Sequence, residues 1–144
     1  MADTKSGSTF SAEEKAAMKE AAAEKRRAKR ADAAAADAAA CVEKIAEMEP
    51  ADRVLAEKLH EIVTSVAPGL APRTFYGMPA YGKDGKVVVF FQSAAKFKER
   101  YATLGFQGSA SLDEGNMWPT SFALIKIGKA EEKVIRELVE RAAS

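Results

Sequence analysis

A chain of 144 residues with one histidine, one cysteine and a formal net charge of +1 suits one domain with a single core, with room for an appendage. Near-neutral charge supplies no global field for polyanions, and the lone Cys41 excludes an internal disulfide and any cysteine-based zinc cluster. The opening MADTKSGSTF lacks the apolar stretch of a signal peptide, and no run reaches the ~20 apolar residues of a membrane span, so a reducing, cytoplasmic address without membrane contact is expected.

Residues 1–10 are small and polar and read as a flexible tail. Ser11 and Glu14 then form the S-x-x-E pattern in which hydroxyl and carboxylate reciprocally satisfy unpaired N–H groups at a helix start. From Ala12 to about Ala40 the chain is nearly all Ala, Glu, Lys, Arg and Asp, with Met18 as its only large apolar side chain. Residues 11–40 are therefore expected to form a charged helical extension with little to bury. Cys41, Ile45 and Met48 fall at i, i+4 and i+7, which gives the start of the 41–144 domain a face that can dock. Pro50 suits a helix's first turn, and Leu55, Leu59, Ile62 and Val66, with Val54 and Val63 beside them, predict a helix over 51–66 that ends at Ala67-Pro68-Gly69.

Aromatic and β-branched residues follow. Phe75–Tyr81 reads as one strand and Lys86–Phe91 as another, joined through Asp84-Gly85, a pair suited to the two positive-φ positions of a type I′ hairpin. Apolar runs at Tyr101–Phe106 and Phe122–Ile127 predict two further strands, with GFQGSASLDEGN as loop. Val134, Ile135, Leu138, Val139 and Ala142 line a closing helix with Glu131 and Glu132 in its first turn, where the helix dipole favours negative charge. Helices enclosing a run of strands argue for an α+β fold, a mainly antiparallel sheet of about four strands packed on helices.

Chemistry is sparse. There is no G-x-S-x-G elbow and no glycine-rich phosphate loop, His60 has no second histidine to form a relay, and Cys41 lies on a core face. Without a nucleophile, base and oxyanion donor, a binding domain is favoured over an enzyme. The basic run Lys25–Arg30 is nearly offset by Glu13, Glu14, Glu20, Glu24, Asp32 and Asp37 and has no aromatic interleaved, which argues against nucleic acid; the competing reading is an interaction module whose N-terminal helix docks on a protein or nucleic acid.

The aromatic residues Phe75, Tyr76, Tyr81, Phe97, Tyr101, Phe106 and Trp118, with Met78, suit either a small-molecule pocket or a core. Pro79 removes a ladder donor and belongs at an edge or bulge, and Gly77 permits a backbone or ligand to approach closely. Tyr76, Gly77, Met78, Pro79, Tyr81 and Trp118 are accordingly the candidate ligand-binding residues. Asp113, Glu114, Glu131 and Glu132, with Asp84, are candidate oxygen donors to a hard cation.

YGMPAY, GKVVVFF, KFKERYATLGF and LDEGNMWPTSFAL, followed by an amphipathic helix, together resemble the YdhG-like family, whose members are described as frataxin-like bacterial iron chaperones or as domains of unknown function. The resemblance covers about residues 41–144. It implies a small α+β domain with a curved antiparallel sheet against helices, and iron as the cargo. Relatives often carry a Lys-x-His-Ile-Gly-Phe-type string after the second strand, where this chain has Lys96-Phe97-Lys98-Glu99-Arg100-Tyr101 and no histidine.

Overall fold

The computed structural model describes residues 10–144, so the expected tail lies outside the described residues except for Phe10. Among the described residues four helices, α1 (Ala12–Ala28), α2 (Ala33–Ala46), α3 (Pro50–Val66) and α4 (Lys129–Ala143), accompany five strands. These are β1 (Ala71–Phe75), β2 (Met78–Lys83), β3 (Lys86–Gln92), β4 (Ala102–Phe106) and β5 (Ser121–Leu124). The strands form one antiparallel meander in the order β1-β2-β3-β4-β5, which gives the expected α+β class. Among the described residues no helix is long and apolar enough to cross a membrane.

Directly paired residues share a sheet face, so the register sorts the strands. Tyr81 opposes Val89, Val89 opposes Phe106, and Phe91 opposes Leu104, which opposes Phe122; these side chains face the helices. Helix α2 contributes Cys41 and Ile45, α3 contributes Leu55, Leu59, Ile62 and Val63, and α4 contributes Ile135, Val139 and Ala142 to the same core. Each large side chain so buried contributes roughly 1.5–3 kcal/mol. Val54 of the α3 pattern and Val134 of the α4 pattern are exposed, because each lies off the stripe that reaches the sheet. On the opposite face Phe90 lies over Gly105, where an added Cβ would stand 2.3 Å from the ring.

The expected single strand over Phe75–Tyr81 is corrected. Tyr76 and Gly77 have φ of 52° and 84°, and Phe75 pairs with Met78, so a two-residue type I′ turn splits the stretch into β1 and β2. The fifth strand arises here, β1 joining Phe75 to residues 71–74, which no predicted strand covered. Pro79 is corrected with it: β2 is an interior strand, and the β2–β3 pairing begins at Ala80 opposite Phe90, one residue past the proline. A missing N–H is tolerated there because the ladder to β3 has ended. The bulge falls farther along β2, between Tyr81 and Gly82, and leaves Val88 as an extra residue on β3. Both Val88 and Val89 reach the core as a result, which accounts for the unbroken apolar run Val87–Val89.

The extension is likewise not one helix. It breaks at Lys29–Asp32 and folds back, so that α2 packs against β1 and β2 and α1 lies against α2 and the end of β1. The predicted capping box is present, with Ser11 N donating to Glu14 Oε1 at 2.8 Å and Glu14 N donating to Ser11 Oγ at 3.0 Å.

Gly82 is the tightest backbone approach at the bulge: a Cβ there would meet the Lys86 carbonyl oxygen at 2.2 Å. Because that neighbour is backbone, Gly82→Ala should force the hairpin apart and lower unfolding free energy by about 1–3 kcal/mol in urea denaturation. Gly85→Ala, with nothing within 4 Å of its Cβ but a φ of 75°, should act only through backbone strain.

Candidate functional site

Where the C-terminal end of α2 meets the start of α3, the β1–β2 turn and the loop after β3, the chain leaves a cleft of about 270 Å³. Its apolar walls are Met48, Met78, Pro79, Phe91 and Phe97, and its charged groups include Lys44, Glu47, Glu49 and Lys96. Buried Asp52 anchors the floor: its two carboxylate oxygens accept from Ala94 N and Ala95 N, each at 3.0 Å, and so fix the loop that carries Lys96 and Phe97. The exposed Lys96 ammonium stands 5.7 Å from the Phe97 ring centroid. This is a small pocket with an apolar body and both signs of charge at its edge, near the lower size limit for organic ligands.

The six candidate ligand-binding residues divide. Gly77, Met78 and Pro79 line the cleft. Tyr76 is 46 % exposed and turns to the opposite sheet face, edge-on to Phe75 with centroids 4.8 Å apart. Trp118 lines a separate cavity with Phe106, Leu112 and Asp113. Tyr81 is fully buried and does not line the cleft: its hydroxyl lies 2.8 Å from His60 Nδ1 and 3.9 Å from Cys41 Sγ. The phenol hydroxyl thus has a hydrogen-bond partner on each side within the core. Burial pushes the Cys41 thiol up, holds the Tyr81 phenol well above its ordinary range, and lowers His60 below its ordinary 6.5. All three groups are thereby kept neutral, which is structural hydrogen bonding within the core rather than reactive chemistry.

Among the described residues no group of three or more His, Cys, Asp or Glu could hold a metal ion. Asp113 and Glu114 are exposed in the loop after β4, Glu131 accepts from Gly128 N at 2.8 Å, and Glu132 is paired with Arg136 and Lys58 at 2.9 and 3.3 Å. The four carboxylates, with Asp84 in its hairpin turn, therefore do not form a common ligand set. A more open depression of about 810 Å³ lies between α3 and the residues after β5, but its Lys58 and Glu61 are paired with each other at 2.9 Å.

The residues missed in the sequence are those of α1. Glu13, Glu20, Glu24 and Arg27 fall at i, i+7, i+11 and i+14, one polar stripe, and each meets the domain. Arg27 donates to buried Thr74 Oγ1 at 2.8 Å, and Glu13 lies 3.1 Å from Lys98. Glu24 accepts from Tyr76 N at 3.0 Å and from Gly77 N at 2.9 Å. Glu20 meets Lys44 at 2.6 Å, and its Cγ stands where a Gly77 Cβ would approach within 2.9 Å. The Lys44 ammonium holds the Glu20 carboxyl below its ordinary range; burial opposes the charge on Lys44, but Glu20 and Glu47 outweigh it and raise that group. The close approach for which Gly77 leaves room is thus made by this chain's own helix. The basic run is divided: Arg27 turns inward and Arg30 pairs with Asp32 at 3.0 Å.

Comparison with protein-family models, curated proteins and solved structures finds no match.

His60 is the one histidine, and Glu13, Glu20 and Glu132 are all shifted below 4.5, so loss of stability on acidification from pH 7 towards 5 reports chiefly on His60. A histidine lowered on folding binds fewer protons than in the unfolded chain, so stability should fall as pH drops below about 6.5 and level off below the folded value. His60→Gln should flatten that slope in urea titrations across this range. Native Cys41 should resist thiol reagents until the chain unfolds.

Proposed function

We propose that the chain is a cytoplasmic, YdhG-like binding domain whose cleft beside Gly77, Met78 and Pro79 takes a small organic molecule with an apolar body and an anionic head. The observation that supports this reading is the meeting of Met48, Met78, Phe91 and Phe97 with Lys44 and Lys96 around one cavity of about 270 Å³. The body would lie between the two methionines and Phe97, whose side chains are polarizable and adapt to shape. The head would meet the lysines at the rim. Carriage of iron, which the family resemblance implies, has less support, because the candidate oxygen donors do not converge. The competing reading, in which the extension engages a protein partner, has to reckon with an α1 stripe already engaged by its own domain.

Titration with a panel of four- to eight-carbon monocarboxylates and free amino acids, followed through methionine methyl resonances, tests the reading. A ligand of the cleft should shift Met48 and Met78 saturably while leaving Met117, which is 89 % exposed and outside the cleft, in place. Phe97→Ala should weaken binding roughly 5- to 30-fold, the loss of one apolar wall. A panel in which no member moves Met48 or Met78 contradicts the proposal.

A further inference from the structure

Two anion receptors lie side by side at the rim of the cleft, and both hold carboxylates of α1. One is the pair of backbone N–H groups at Tyr76 and Gly77, 3.0 and 2.9 Å from the two Glu24 oxygens. The other is Lys44, 2.6 Å from Glu20, with Lys96 close by: its Nζ would lie 3.5 Å from a Cβ at Gly77, the same position that Glu20 Cγ crowds. Glu20 and Glu24 are one helical turn apart, so their carboxylates project together. Lys44, Gly77 and Lys96 also line the cleft, so the occupied receptors and the cavity share a border.

Attachment of α1 is almost wholly polar. The helix has no buried residue, and Met18, its only large apolar side chain, is half exposed. Ion pairs and hydrogen bonds of this kind, partly exposed to water, hold an element weakly compared with apolar docking, and such an element opens locally without global unfolding. The break at Lys29–Asp32 provides the point about which it can leave.

We propose that the Tyr76–Gly77 turn, Lys44 and Lys96 form a binding site for a small dianion, a dicarboxylate or a phosphate-bearing molecule, and that α1 occupies it in cis through Glu20 and Glu24 as a displaceable internal competitor. This rests on the reading of the adjoining cleft as a ligand site, and it adds both the charge of the ligand and the means by which access is controlled. If α1 is seated in about nine molecules of ten, an external dianion meets an apparent affinity about tenfold weaker than the intrinsic one.

The test uses the full chain. Glutarate, inorganic phosphate and acetate are titrated into the wild type and into E20Q/E24Q, with the backbone amides of Tyr76 and Gly77 as reporters. Glutarate or phosphate should shift both amides, bind the double variant about tenfold more tightly than the wild type, and bind either protein more tightly than acetate. K44Q/K96Q introduced into the double variant should remove the gain. E24Q alone, which keeps the Glu20 contact, should give an intermediate gain of a few fold and serves if the double variant does not fold. In the wild type, saturating glutarate should speed amide exchange across Ala12–Ala28 while leaving Ala71–Phe75 protected. Equal affinity in the wild type and unlatched variants, unmoved Tyr76 and Gly77 amides, or no preference over acetate would overturn the proposal. Displacement of α1 by glutarate with no organic ligand reaching Met48 and Met78 would leave it standing and remove the cleft reading. A cleft ligand that binds equally with α1 latched and unlatched would do the reverse.

Discussion

At the tip of the β1–β2 hairpin two backbone N–H groups point out of the sheet and need an acceptor, which Glu24 supplies from more than fifty residues earlier in the chain. A carboxylate accepting two such bonds is a charge-assisted contact, stronger than neutral pairing, although its partial exposure reduces its net value. Much at this end of the molecule depends on it. Seating Glu24 brings Glu20 to Lys44, sets Arg27 beside Thr74 and carries Glu13 to Lys98, so that one helix without a buried residue is fixed along its length. The turn permits this because Gly77, at φ 84°, has no Cβ to exclude Glu20.

The same turn ties the extension to the cleft. Met78 and Pro79 leave the turn and line the cavity, while Asp52, in the first turn of α3, fixes the loop bearing Lys96 and Phe97 from the other side. The polar anchors are thus backbone groups held by carboxylates, and the apolar wall comes from Met48 in the turn after α2, from β2 and β3, and from the loop after β3. Tyr81, one of the chain's larger aromatics, is absent from the cleft because the pleat directs it into the core, where His60 and Cys41 satisfy its hydroxyl.

Local patterns made most of the fold legible. The α3 and α4 stripes, the Ser11 capping box and the Asp84-Gly85 hairpin all rest on interactions within a few residues, and all are present. The Tyr76-Gly77 turn was hidden because a tyrosine at positive φ is uncommon and because aromatics on both sides imitate a continuous strand. The β3 bulge was equally invisible, since an unbroken valine run fits a buried strand with or without an extra residue. Gly77, Met78 and Pro79 could be singled out by their awkwardness in a strand, whereas Lys44, Lys96 and Asp52 could not, because their roles depend on contacts distant in sequence. The Glu13, Glu20, Glu24, Arg27 stripe was readable as spacing, but in a helix dense with charge it does not stand out from a solvated face.

The chain contains its own control for the central interaction, because two turns with the same pair of positive φ values differ in whether a carboxylate caps them. Tyr76-Gly77 is capped by Glu24, whereas Asp84-Gly85 is an exposed tip with nothing within 4 Å of where a Gly85 Cβ would lie. Native-state amide exchange at the two tips therefore measures the latch directly. Tyr76 and Gly77 should exchange at least about tenfold more slowly than Asp84 and Gly85 after correction for intrinsic rates, and Glu24→Ala should bring the two tips level. Equal exchange at both tips in the wild type would contradict the account.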